Sequence, residues 1–188
     1  DYINNIRFED EDIAYLRSLK LFDEDFLAML SSLHFTGEIY GMPEGTVVFP
    51  YEPLIRVRAP IMQAQLVETA LLNLVNHQTL IATKAARVVY AAQGDGVMEF
   101  GLRRAQGPDA GIYGARAAMI GGCTGTSNVL TGQMFHVGVS GTHAHSWVMS
   151  FPTELDAFRA YAKIFPDACM LLVDTYDTLG SGVPNAIK

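Results

Sequence analysis

Two histidines separated by one residue stand in the stretch Ser140-Gly141-Thr142-His143-Ala144-His145-Ser146-Trp147, just after a glycine turn. An imidazole titrates near neutral pH, so it can act as a base, a proton shuttle or a nucleophile toward a phosphoryl group. A nucleophilic ring needs an acceptor for its second nitrogen, and Asp174, at the end of the next apolar run, is a candidate. In an extended segment, side chains two residues apart point to opposite faces, which makes His143 and His145 poor joint metal ligands; no metal site is expected. A second cluster, Phe100-Gly101-Leu102-Arg103-Arg104, sets two cations just after a strand-like segment. An arginine fork holds a carboxylate or phosphate through two parallel bonds; the structural alternative is a surface ion pair to Glu99 or Asp109. A third, Gly121-Gly122-Cys123-Thr124-Gly125-Thr126-Ser127-Asn128, is rich in glycine and hydroxyls and could offer N–H and O–H donors to an anion, or simply make a tight turn.

These residues need elements to hold them. Residues 9–34 carry apolar side chains at helical spacing and read as two short amphipathic helices, with Asp23 as N-cap of the second. Glycines and prolines punctuate residues 37–53 around strand-like Thr46–Phe49 and Leu54–Arg58. After Pro60 the stretch Met62–Tyr90 contains no Gly or Pro and predicts one long helix, buried on more than one side, in which His77 is an ordinary hydrogen-bonded histidine. From Gly94 onward the rhythm is strand, loop, helix. Val97–Gly101, Val137–Ser140 and Met170–Val173 have strand character, and Asp109–Met119 and Glu154–Phe165 helical character, the latter capped by Thr153. Parallel β/α units gather functional groups at the C-terminal ends of their strands. Those ends carry Arg103-Arg104, Ser127-Asn128, Thr142–Ser146 and Asp174–Asp177, four polar clusters expected on one rim.

Composition bounds the function. The chain has 188 residues, 49% hydrophobic, with a net charge of −7. That balance suits a globular core and argues against nucleic-acid binding, which needs clustered Lys and Arg. The two cysteines, Cys123 and Cys169, lie far apart and form neither a disulfide framework nor a zinc spacing, so reduced thiols and a cytoplasmic location are expected. The chain begins without a signal-peptide pattern, and no apolar run reaches the roughly 20 residues of a membrane span. Both ends read as cut rather than finished, which suggests a fragment.

Four stretches, EFGLRRAQGPDAG, GGCTGTSNVLTGQ, GTHAHSWVMSF and LLVDTYDTLGSGVPNAIK, in this order and spacing, resemble the nicotinate phosphoribosyltransferase family, as does GEIYGMPEGTVVFPYEPLIRV upstream. The resemblance covers essentially the whole chain and implies an α/β fold of the type II phosphoribosyltransferases. Residues 1–93 would form part of a small N-terminal domain with a long connecting helix, and residues 94–188 the first portion of an irregular β/α barrel. It implies that nicotinate and phosphoribosyl pyrophosphate are joined into nicotinate mononucleotide and pyrophosphate in NAD salvage, with Mg2+ accompanying the diphosphate. ATP hydrolysis would be coupled through a phosphohistidine. The family's GTxxHS pattern maps that histidine to His145, with Asp174 beside it in a catalytic role. Phe100 matches the aromatic stacking on the pyridine ring, Arg103 the arginine near ring and phosphate, and Thr142 the threonine associated with nicotinate; Ser146 completes the substrate-binding set. A homodimer with shared active sites is implied, and neither nucleic acid nor membrane is a partner. Alternatives are the nicotinamide-using relative, which carries an acidic group where GGCTGTSN has none, and a non-catalytic folding or dimerisation fragment. Turnover by this chain alone is not expected, because groups supplied elsewhere in the family are absent from it.

Overall fold

The computed structural model describes residues 2–188, which divide into two compact units. One takes in the residues up to Asp95 together with Arg116–Gly122; the other comprises Gly96–Ala115 and Cys123–Lys188.

In the first unit, helices α1 (Asp10–Ser18) and α2 (Glu24–Ser31) form where the sequence supplies both a cap and an apolar stripe. Glu9 and Asp12 make a reciprocal capping box on α1, and Asp23 accepts the Phe26 N–H at 2.8 Å at the start of α2. Ile13, Leu27 and Leu30 pack into a small core with Phe8, Leu16, Phe26, Met29 and Leu66. Strands β1 (Glu38–Gly41) and β2 (Ile55–Arg58) pair antiparallel, with Glu38 opposite Arg58 and Tyr40 opposite Arg56. The Arg56 guanidinium lies 4.6 Å from the centre of the Tyr40 ring, a cross-strand cation–π contact.

Two expectations fail in this unit. Thr46–Phe49 is not a strand: β1 occupies the edge of β2 instead, and Val47 and Phe49 lie exposed in a loop. Gly45 and Tyr51 take positive φ on either side, and the Phe49 N–H is given to the Glu52 carboxylate rather than to a neighbouring strand. Strand propensity without a free edge to join does not make a strand. The long helix α3 (Ile61–Ala91) forms, but it is not buried on more than one side: Val67 is its only buried residue. Leu66 packs on the α1–α2 core, and Gln63 accepts the N–H and hydroxyl of Thr36. Further along, Arg116 reaches Gln78 at 2.7 Å, and Gly121 packs so tightly that a Cβ there would lie 2.6 Å from the Ala82 carbonyl oxygen.

The second unit begins with β3 (Met98–Glu99) and a single 3-10 turn at Leu102–Arg104, followed by the start of α4 (Pro108–Ile120). β4 (Gly125–Thr126) lies parallel to β3, and Val139 pairs in parallel with Thr126. The expected strand at Val137–Ser140 thus contracts to one bridge. Between them lies α5 (Val129–Phe135), capped by Asn128, whose side chain accepts the Thr131 N–H. Helices α6 (His145–Met149), α7 (Glu154–Ile164) and α8 (Val183–Ile187) follow, and Thr153 caps α7. Val148, Ala157 and Phe158 form the core here, covered by Trp147, Phe151, Leu171, Val173 and Ala186. The run Met170–Val173 joins no strand ladder. Two side-chain bonds tie it to the neighbouring segment instead: the Thr142 hydroxyl donates to the Met170 carbonyl at 2.8 Å, and the Leu172 N–H donates to the His143 ring at 3.2 Å.

Candidate active site

β3, β4 and Val139 run parallel side by side, so the residues that follow them, Phe100, Ser127 and Ser140, leave along the same edge. Arg103-Arg104, Ser127-Asn128 and Thr142–Ser146 follow in the loops beyond that edge, whereas Asp174 follows a run that joins no ladder.

The two histidines part ways at Ala144. Extended backbone carries His143 into the core, whereas Ala144 is the N-cap of α6 and His145 its first helical residue, so strict alternation does not continue to His145. His143 is buried, its ring 4.6 Å from that of Tyr161 in an edge contact and 5.9 Å from that of Phe158. Its Nε2 accepts the Leu172 N–H, so that nitrogen keeps its lone pair and the ring is neutral with its proton on Nδ1. Burial pushes its pKa below the ordinary imidazole range, the same direction. His145 is about half exposed and meets Asp174: Nε2 to Oδ1 is 3.0 Å. A carboxylate only accepts, so the proton lies on Nε2 and the lone pair of neutral His145 is on Nδ1.

Asp174 is held in place by the turn behind it. Asp177 accepts the N–H groups of Leu179 and Gly180, and its carbonyl takes those of Ser181 and Gly182. Gly182 lies directly against Val173: a Cβ there would stand 1.8 Å from the Val173 carbonyl oxygen, so only glycine fits. The segment carrying Asp174 is therefore clamped to the start of α8.

The other sequence-predicted residues are distributed as follows. Ser146, in the first turn of α6, is exposed, and its hydroxyl bonds no described residue. Thr142 is half-buried and spends its hydroxyl proton on the Met170 carbonyl. Phe100 is exposed, and Arg103 and Arg104 in the adjacent 3-10 turn form no ion pair with a described residue. The surface pairs with Glu99 or Asp109 do not form. The structure brings His145 and Asp174 into contact; Phe100 and Arg103 share one loop at the same strand-end edge.

Glu99 plays a part that its type and position alone did not single out. Its carboxylate accepts the Thr126 hydroxyl at 2.6 Å and the Gly101 N–H. Thr126 is fully buried, and its oxygen in turn accepts the Asn128 N–H at 3.0 Å. One available signal was a carboxylate at the end of one strand facing a threonine at the end of its parallel neighbour. Burial, with the Glu99 charge as a smaller cause, pushes the nearby Cys123 thiol up from its usual pKa, away from the thiolate.

A profile for the nicotinate phosphoribosyltransferase (NAPRTase) N-terminal domain matches residues 1–76. Nicotinate phosphoribosyltransferase of Bacillus subtilis is 53% identical over the whole chain, which spans 38% of that protein. The Mycobacterium tuberculosis protein of the same name is 47% identical, again over the whole chain and over 40% of its own length. The crystal structure of human nicotinic acid phosphoribosyltransferase superposes with a TM-score of 0.89 at 34% identity, covering 98% of this chain and 47% of the human one. The chain thus spans about two fifths of the length of the curated relatives it matches.

Proposed function

The chain belongs to the nicotinate phosphoribosyltransferase family, an enzyme family, and from that premise we propose that the protein carrying it joins nicotinate to phosphoribosyl pyrophosphate in NAD salvage, coupled to ATP through phosphorylation of His145. The observation that carries this reading is the His145–Asp174 pair at 3.0 Å. With Asp174 accepting the Nε2 proton, Nδ1 presents its lone pair to the γ-phosphorus of ATP. A bond forms from Nδ1 to phosphorus, the bond to the bridging oxygen breaks, and ADP leaves with that electron pair. Asp174 holds the ring in the reactive tautomer and stabilises the positive charge that develops on it. Water later hydrolyses the phosphohistidine, and that release drives synthesis of the nucleotide.

Phe100 offers a face for the pyridine ring, and Arg103, with no ion-pair partner among the described residues, offers its fork to an anionic group. Thr142 and Ser146 line the same rim. The segment Gly121–Asn128 contains no acidic residue, and Glu99 has both carboxylate oxygens engaged, which favours a pyridine acid over its amide. Among the described residues no three His, Cys, Asp or Glu side chains gather to cage a metal. Mg2+ enters in this reading as the oxygen-bound companion of the diphosphate substrates. β3, β4 and Val139 correspond in this reading to the first strands of an irregular β/α barrel, and a homodimer with shared sites completes it. The test is product formation by a family-length protein containing this chain. Nicotinate mononucleotide should form from nicotinate, with ATP raising the yield and nicotinamide a poor substitute; equal use of nicotinamide, or no response to ATP, would overturn the corresponding part.

A further inference from the structure

Between the loop that carries Phe100 and Arg103 and the loop that carries Ser127 and Asn128 there is one carboxylate, Glu99. One oxygen accepts the Gly101 N–H and the other the Thr126 hydroxyl. The network continues inward: Thr126 Oγ1 accepts the Asn128 N–H, Asn128 Oδ1 accepts the Thr131 N–H, and the Thr131 hydroxyl donates to the Ile112 carbonyl on α4. Thr126 and Thr131 are fully buried and Asn128 nearly so, so the inner end of this chain of bonds is rigid. Its outer end is Gly101, the residue between Phe100 and the 3-10 turn bearing Arg103. Gly101 leaves the carboxylate just enough room: a Cβ there would lie 2.8 Å from Glu99 Oε1. Phe100 and Arg103 are themselves exposed and make no polar side-chain tie to a described residue.

We propose that Glu99 is a positioning residue for the pyridine substrate: it pins the Phe100–Arg104 loop, through the Gly101 N–H, to the buried Thr126–Asn128 network, and so sets where the stacking ring and the anion-binding guanidinium stand. This rests on the reading that Phe100 and Arg103 hold a pyridine acid. Glu99 does not touch the substrate; both its oxygens are turned to the protein. Two donors converge on that carboxylate and hold both its oxygens toward the protein.

The experiment is steady-state kinetics on a family-length enzyme with Glu99→Ala, Glu99→Gln, Gly101→Ala and Thr126→Val, varying nicotinate and phosphoribosyl pyrophosphate separately. A charge-assisted hydrogen bond lost from an organised loop corresponds to about a tenfold change or more. Glu99→Ala should raise KM for nicotinate at least about tenfold, with KM for phosphoribosyl pyrophosphate and phosphorylation of His145 within about twofold. Glu99→Gln, which keeps one acceptor oxygen, should recover part of the loss. Gly101→Ala, which displaces the carboxylate without removing it, should raise the same KM while leaving the melting temperature near that of the wild type. The role is overturned if the Glu99 variants bind nicotinate as the wild type does. It is equally overturned if both KM values and the melting temperature move together in every variant, with no recovery in Glu99→Gln. A wild-type enzyme that does not use nicotinate at all sinks the functional reading itself, and this role with it.

Discussion

α3 runs for 31 residues and buries one side chain, Val67. The stretch from Thr142 to Val148 is far shorter, yet it buries His143 and Val148 and ties Thr142 and His145 to named partners. Leu72, Leu80 and Tyr90 on α3 are exposed and apolar; the shorter stretch exposes Ser146 and about half of His145. The contrast shows two kinds of specification. A helix is built from bonds inside its own backbone, so a long run free of Gly and Pro extends well beyond the few points at which it packs. The rim is built from single hydrogen bonds between segments about 30 residues apart, each of which needs one particular atom in one particular place.

The comparison breaks first at His145. In a family-length enzyme, His145→Ala should abolish labelling by γ-phosphate-labelled ATP and uncouple ATP from nucleotide synthesis, while His143→Ala keeps the label. Label retained in His145→Ala, or lost only in His143→Ala, would reverse the roles of the two rings. Asp174→Asn comes next. It keeps the shape of the side chain but supplies a neutral acceptor, and a hydrogen bond to a charged partner is worth about 1.5–3 kcal/mol. Labelling should therefore slow by about 10- to 100-fold in rapid-quench experiments without vanishing; an unchanged rate would make the contact incidental.

His143 should affect stability instead. Its ring is held neutral by burial and accepts the Leu172 N–H, so its pKa in the folded chain lies below the ordinary value that the unfolded chain shows. The unfolded state therefore binds the extra proton first. The contribution to stability is complete above the ordinary histidine range and is lost as pH falls through that range toward the folded value. Melting curves between about pH 7.5 and pH 5 should fall more steeply for the wild type than for His143→Ala. At neutral pH the variant should cost about 1–3 kcal/mol, because the Leu172 N–H loses its acceptor. Parallel pH profiles would refute the buried neutral ring. The smallest effects belong to α3. In urea unfolding of the 188-residue chain, Val67→Ala should cost about 1–3 kcal/mol, and Leu80→Ser less than about 0.5 kcal/mol. Equal costs at the two positions would mean that the helix is covered where it now stands bare.

Much of this was legible in the residues, and the reasons divide along the same line. The capped helices at Asp23 and Thr153 and the extent of α3 follow from local signals: a side chain that bonds a backbone N–H three residues on, and a long run free of Gly and Pro. Asp174 stood out as a partner for His145 because a reactive imidazole calls for an acceptor and an apolar run ended in a carboxylate. Thr46–Phe49 misled because strand propensity says nothing about which segment claims a neighbour's edge, and β1 claimed it. The burial of α3 misled because an apolar residue records a need for cover, not its presence. Glu99 went unread as a bridge because its partners, Gly101 and Thr126, become neighbours only once β3 and β4 lie in register. Arg103 was read through its charge, and the absence of an ion pair with Glu99 or Asp109 emerged only from the fold.

The bond from the Leu172 amide to the His143 ring has one more consequence. Most protected amides in a protein donate to carbonyl oxygens, whose basicity does not change between pH 5 and pH 8. This one donates to a titrating nitrogen. When Nε2 gains a proton it becomes a donor, and two donors then face each other where a donor and an acceptor had met. The amide must turn away or open. Its deuterium exchange and its nitrogen chemical shift should therefore follow the protonation of a ring that solvent barely reaches, making Leu172 a single-atom pH gauge two residues before Asp174.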